Sequence, residues 1–160
     1  AMEDYFERVV DVLTGAGYRW YETANFCRAE PGRDLRAGHN LAYWHGRDYL
    51  GLGIGAVSTV AGLRWRNAPS LHRYTAALAR GERPARELEQ LEPDVRSREL
   101  VMLGLRLDEP LALAGLDAAV DRDALEWLER HGLVHAAGGT LALTRRGRFL
   151  GGGVTAELLA

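Results

Sequence analysis

Between Tyr49 and Ser58 the chain reads Tyr-Leu-Gly-Leu-Gly-Ile-Gly-Ala-Val-Ser, with glycine at every second place from Gly51 to Gly55. A strand sends successive side chains to opposite faces, so Leu50, Leu52 and Ile54 share one face and the glycines the other. Glycine weakens a strand and is tolerated where another backbone or a ligand comes close. The run therefore predicts a strand with an apolar face packed on helices. Against its bare face something is pressed, either a neighbouring element or a ligand. It is not the dinucleotide fingerprint, because the pattern is G-x-G-x-G-A and no helix starts within it.

The flanking sequence mixes helical and strand periods. Tyr5, Phe6, Val9, Val10 and Leu13 form one helical stripe over Glu3 to Thr14, stopped by Gly15 and Gly17. The aromatic-rich stretch Tyr18 to Thr23 reads as a strand, giving one helix-to-strand step of an α/β fold. Residues 24–40 read as a long irregular loop broken by Pro31, Gly32 and Gly38 and closed by His39 and Asn40. Loops of this length inside compact domains are functional or disordered, and the residues that close this one favour function. Ser70 caps a helix that Gly81 ends, and the polar stretch from Gly81 to Asp94 reads as a linker between two lobes.

Beyond Pro93 a helix runs to Leu107, with Leu100, Leu103 and Leu107 on one side. A short helix over Leu113 to Val120, a helix over Arg122 to His131 and a further helix after Thr144 complete the pattern. Between the last two lies a hairpin from Leu133 to Leu143, turned at Gly138-Gly139. Three helices followed by a two-stranded wing make a winged-helix arrangement. The helix that would enter a DNA groove carries Asp123, Glu126 and Glu129 against Arg122 and Arg130, the wrong balance for facing phosphates. The run Arg145-Arg146-Gly147-Arg148 is explained more simply as a solvated helix start. A winged-helix DNA-binding or regulatory module is the weaker alternative.

The 160 residues hold 20 basic and 22 acidic side chains, a formal net charge of -2, so no field of one sign points to nucleic acid or an anionic membrane. No apolar run is long enough to span a bilayer and no signal-peptide pattern opens the chain, so a cytoplasmic setting is expected. Ala1 ahead of Met2 reads as an expression scar. The single cysteine, Cys27, cannot close an internal disulfide or by itself hold zinc or an iron–sulfur cluster.

Several stretches occur together in one family's order and approximate spacing. They are Ala16-Gly17-Tyr18, Tyr21-Glu22-Thr23-Ala24-Asn25-Phe26, Pro31-Gly32, His39-Asn40-Leu41-Ala42-Tyr43-Trp44 and Tyr49 to Ala56. Arg64-Trp65-Arg66-Asn67, Leu103 to Leu107 and Leu143 to Arg148 extend the match. The chain resembles the oxygen-independent coproporphyrinogen III oxidase-like radical S-adenosylmethionine proteins over essentially its whole length. Two branches of that family differ in function. One decarboxylates two propionates of coproporphyrinogen III. The other acts as a heme chaperone and carries an H-N-x-x-Y-W motif, which His39, Asn40, Tyr43 and Trp44 match at every fixed position. Where the oxidase branch has an aromatic residue and a glutamine for a second S-adenosylmethionine, this chain has Leu41 and Ala42.

The resemblance implies an α/β fold, with an α+β character in the stretch present here. Residues 2–62 would form the last strands and helices of a partial radical-SAM (β/α) barrel, 63–92 a connecting helix and linker, and 93–160 a winged-helix-like C-terminal domain. It implies heme or a porphyrin as ligand, a heme-acceptor protein as partner, and no catalytic residue in this chain. The parent would use S-adenosylmethionine and a [4Fe-4S] cluster. The three-cysteine loop would lie before Met2, because Cys27 alone cannot build the cluster. Gly51, Gly53, Gly55, Ala56 and Val57 would border the S-adenosylmethionine side of the pocket. A truncated barrel would also expose sheet edges, which favours self-association.

The residue chemistry agrees in outline, beside a plainer alternative in which His39 hydrogen-bonds a loop and Trp44 sits in a core. His39 carries an imidazole able to ligate heme iron, and Tyr43 and Trp44 offer flat apolar surface to a porphyrin. Arg64 and Arg66 have guanidinium groups suited to heme propionates.

Overall fold

The computed structural model describes residues 2–159, and the chain divides into two compact units, Ala1–Gly46 with Ser97–Ala160, and Arg47–Arg96. In the first unit, helix α1 (Met2–Gly15) packs on strand β1 (Tyr18–Glu22), the two joined through Gly17 at φ 85°. Strand β1 does not feed an α/β crossover. It turns back at once into β2 (Asn25–Arg28), antiparallel, with Trp20 opposite Phe26. The reversal has a local cause: the Glu22 carboxylate accepts hydrogen bonds from the Ala24 N–H at 3.1 Å and the Asn25 side chain at 2.5 Å, which fixes the turn. The long loop expected over residues 24–40 is thereby shortened from both sides, by β2 and by helix α2 (Gly38–Trp44).

An aromatic cluster holds the hairpin to the last part of the chain. Trp20 lies 5.9 Å from Phe6, 5.1 Å from Phe149 and 6.3 Å from Phe26 between ring centroids. The Arg148 guanidinium sits 3.7 Å over the Trp20 ring, and burial lowers its pKa from the usual arginine value.

The rest of this unit is helices around a small antiparallel sheet. Helix α3 (Leu71–Ala79) belongs to the second unit, so the next helix here is α4 (Pro93–Gly104), which crosses the unit boundary. It is followed by α5 (Arg122–Arg130), α6 (Arg145–Phe149) and α7 (Gly151–Leu158). Asp121 caps α5 by accepting from Ala124 N–H, and Thr144 caps α6 by accepting from Gly147 N–H. The expected hairpin is present, turned at Gly138-Gly139, both at positive φ. Counting strands in chain order, with β3 to β5 in the second unit, it comprises β7 (Val134–Ala137) and β8 (Thr140–Leu143).

A third strand, β6 (Leu111–Ala112), joins the open edge of β8, giving the order β6-β8-β7. The short helix expected over residues 113–120 is instead one 3-10 turn, Asp117–Ala119. Asp117 to Val120 is too short a stretch, between Gly115 and the capping Asp121, to nucleate an α-helix. Val101, Leu105, Leu128, Leu141, Val154 and Leu158 are buried together beneath these elements. Each such side chain contributes about 1.5–3 kcal/mol on leaving water.

In the second unit β3 (Val57–Val60), β4 (Leu63–Asn67) and β5 (Arg86–Gln90) form an antiparallel sheet, with β4 central. Ala61-Gly62, both at positive φ, turn β3 into β4. Two expectations fail here. The stretch from Gly81 to Asp94 is not all linker, because β5 lies in it. Every residue of β5 is exposed, so its sequence shows no apolar alternation. Its pairing is set by neighbours, with Glu89 opposite Arg64 and Glu87 opposite Arg66.

The glycine-interleaved run is not a strand either. Regular pairing begins only at Val57, and Gly53 and Gly55 take φ 102° and 64°, outside the strand region. The alternation is a loop device. The Gly51 N–H donates to Ser58 Oγ at 2.9 Å, the Gly53 N–H to the Tyr74 hydroxyl at 3.1 Å and the Gly55 N–H to the Asn67 carbonyl at 3.0 Å. With the glycine amides tied inward, Leu50, Leu52 and Ile54 are exposed rather than packed on helices.

Candidate functional site

The H-N-x-x-Y-W motif falls on α2, so its spacing resolves into two adjacent i,i+4 rows, His39 with Tyr43 and Asn40 with Trp44. His39 is exposed, with the edge of the Tyr43 ring 4.9 Å from its own and at 90° to it. Trp44 faces the other way. The Arg106 guanidinium covers its ring at 4.3 Å. The sequence reading offered both aromatic rings to a ligand, whereas one face of Trp44 is already taken.

A helix of seven residues is too short to hold itself, and α2 has neither a side-chain N-cap nor an acidic residue in its first turn. Its surroundings hold it. The Ala37 N–H donates to the Tyr21 hydroxyl at 3.4 Å, at the helix start. Arg36, just ahead of the helix, pairs with Glu109 and with Asp34. These carboxylates hold the Arg36 guanidinium above its ordinary pKa, and the Arg36 contacts depress Asp34 to about 2. His45, at the helix end, reaches the other oxygen of Glu109 at 3.9 Å, so one carboxylate spans both ends of α2. The same loop is anchored by Arg19, whose guanidinium donates to both oxygens of Asp108 at 2.7 and 2.8 Å.

Beneath Trp44 lies Glu22, which is 0% exposed. Its carboxylate accepts from Arg106 Nε at 2.8 Å, with Arg106 Nη2 2.6 Å from the same oxygen, besides the two donors of the β1–β2 turn. Burial would raise its pKa, but Asn25, the Ala24 N–H and Arg106 together hold it below the ordinary glutamate value.

Arg64 and Arg66 belong to the second unit, on β4, opposite Glu89 and Glu87. Arg64 Nε also donates to Thr59 Oγ1 at 3.3 Å. Gly51, Gly53, Gly55, Ala56 and Val57 are in the same unit. Gly51 admits no side chain, since a Cβ there would stand 2.2 Å from the Val57 carbonyl oxygen. Among the described residues no group of three or more His, Cys, Asp and Glu is arranged to hold a metal, and no helix is long and apolar enough to cross a membrane. A single exposed imidazole beside an aromatic ring does fit an axial ligand to a planar metal complex. Lone Cys27 does not fit an iron–sulfur cluster.

Glu22, Arg106 and Glu109 were not singled out as site residues from the sequence. Glu22 and Arg106 fall within the matching stretches, but nothing in either stretch signals that they meet.

Residues 91–150 match the family described as the HemN C-terminal domain. Over 154 residues the chain is 40% identical to the heme chaperone HemW of Mycobacterium tuberculosis, covering 96% of this chain and 38% of that protein. The chain is thus similar to this coproporphyrinogen oxidase-like family over nearly its whole length. A heme chaperone HemW of Bacillus subtilis is 28% identical over 98% of this chain and 42% of its own length. The fold matches coproporphyrinogen III oxidase HemN of Escherichia coli, a radical SAM enzyme. The TM-score is 0.69 at 22% identity, over 96% of this chain and 40% of that one. The chain thus spans well under half the length of the curated relatives it matches.

Proposed function

We propose that this chain is the heme-holding part of a heme chaperone and that His39 on α2 is its axial iron ligand. The observation that carries the reading is the disposition of the motif helix, which leaves His39 exposed with the Tyr43 ring at its side. An imidazole ligates heme iron through a ring nitrogen, and an aromatic ring beside it can pack on the porphyrin. Asn40, in the row of Trp44, is a further candidate contact to heme. Trp44 contributes by anchoring the helix on Arg106.

Arg64 and Arg66, on β4 of the second unit, are by themselves candidates to pair with carboxylates such as heme propionates. In this reading residues 2–62 supply the last elements of the barrel, 63–92 the connection and 93–160 a winged-helix-like lobe. S-adenosylmethionine would approach Gly51 to Val57, while the cluster is held by residues other than Cys27. A heme-acceptor protein receives the cargo in the cytoplasm. Exposed Leu50, Leu52 and Ile54 favour self-association of the isolated chain.

Ferric heme titrated into the purified chain tests the proposal. A Soret band distinct from that of free heme, saturating at one heme per chain, is the expected result. A spectrum that stays that of free heme throughout the titration would sink it.

A further inference from the structure

We infer that Arg106 is a positioning residue for His39, acting through Trp44; this rests on the heme-binding reading of α2. The Glu22 carboxylate is wholly buried and is fixed by the β1–β2 turn. Arg106 brings two nitrogens, Nε and Nη2, to the same oxygen of that carboxylate. Two nitrogens on one buried, immobile oxygen pin the place of the guanidinium. That pinned cation is what the Trp44 ring lies against, with Cζ 4.3 Å from the ring centroid.

Among the described residues the Trp44 indole Nε1 is buried and meets no hydrogen-bond acceptor. A buried tryptophan N–H ordinarily finds a partner that fixes the ring. Here the stack on Arg106 takes that role. His39 and Trp44 are five residues apart on α2, roughly 140° around a helix of 3.6 residues per turn. Seating the indole inward on Arg106 therefore turns the imidazole outward. The chain of contacts runs from a rigid carboxylate through a planar cation to an aromatic ring, and from there along one turn of helix to the ligand.

The contacts at the helix ends act differently. Glu109 and Tyr21 hold the ends of α2 in place, through Arg36, His45 and the Ala37 N–H. They tether the helix ends, and the Trp44 side chain, at the last residue of α2, sets the rotation of the helix about its own axis.

Arg106→Lys is the decisive variant, because it keeps a cation for Glu22 but loses the planar face and the two-nitrogen grip. Heme affinity should fall by about 10- to 100-fold, the usual loss when a group that orients a metal ligand is removed. The electron paramagnetic resonance signal of the bound ferric heme should broaden or split as the imidazole orientation scatters. The double variant with Trp44→Leu should bind no worse than Trp44→Leu alone, since Arg106 acts through that ring.

Unchanged affinity and an unchanged signal in Arg106→Lys, with His39→Ala abolishing binding, would overturn this inference and leave the heme reading intact. If His39→Ala binds as the parent does, the heme reading itself fails and this inference with it. Should Arg106→Lys not fold, Trp44→Phe, which keeps a ring under the guanidinium, must bind at least tenfold better than Trp44→Leu. Equal binding by those two overturns the inference as well.

Discussion

Glu22 on β1 and Arg106, 84 residues later, meet at 2.6 Å with the carboxylate entirely out of solvent. The pair joins the hairpin to the segment that follows α4, a join seconded by the Asp108 N–H donating to the Tyr21 carbonyl at 3.0 Å. Its asymmetry decides what mutation does. Arg106→Met leaves a buried carboxylate without a cation, whereas Glu22→Gln leaves a guanidinium that still reaches water. Losing one member of a buried pair costs about 3–5 kcal/mol, and the part-exposed Arg106 puts the first change near the lower end. Urea unfolding should rank Arg106→Met as clearly less stable than Glu22→Gln; the reverse order would contradict the burial.

The same carboxylate gives the fold a pH dependence of known sign. Its folded pKa lies below the ordinary value of 4.5, so the unfolded chain binds the proton more readily. The stabilisation is present above the ordinary pKa and is lost as pH falls through the depressed folded one. Melting temperature should therefore drop on acidification below the ordinary glutamate pKa, and the drop should be shallower in Glu22→Gln. Equal slopes for the two proteins would remove Glu22 from the account.

Packing predicts a contrast between two leucines. Leu141, in the central strand of its sheet, is 0% exposed, and Leu141→Ala should cost about 2–5 kcal/mol. Leu52, 88% exposed, should change stability by less than about 0.5 kcal/mol when replaced by alanine. Denaturant titration of both variants checks the pair.

In the second unit the buried Asn67 side chain donates to the Gly53 carbonyl at 2.9 Å, and its backbone exchanges bonds with Gly55 and Ala56. Asn67→Ala removes the side-chain bond and leaves that carbonyl short of a donor. Hydrogen exchange at the Gly53 and Gly55 amides should quicken, while the β7–β8 hairpin in the other unit exchanges as before. Protection unchanged at both glycines would mean that the loop is held elsewhere.

Much of the fold could be read from residue pattern. Ser70 and Gly81 bounded a helix that forms, and Gly138-Gly139 marked a hairpin that forms, because caps and turns depend on a few adjacent residues. Strands set by partners were less legible. Strand β5 is exposed on both faces with Leu88 its single apolar residue, and its cue is charge complementarity with a strand some twenty residues earlier in the chain. The run from Leu50 to Ala56 misled because alternating glycine fits both a bare strand face and a loop whose amides turn inward. The choice rested on Ser58, Asn67 and Tyr74, side chains that no local period reveals. In the candidate site the motif residues were visible as a motif. What supports them is not local, since Glu22, Arg106 and Glu109 reach α2 only after the chain has folded.

The central claim, that His39 ligates heme, is tested most directly by titrating ferric heme into His39→Ala beside the parent chain. The account predicts that the bound-heme Soret band of the parent is lost or weakened at least tenfold in the variant, with its melting temperature unchanged because His39 is exposed. The same band at the same affinity in both proteins would contradict it.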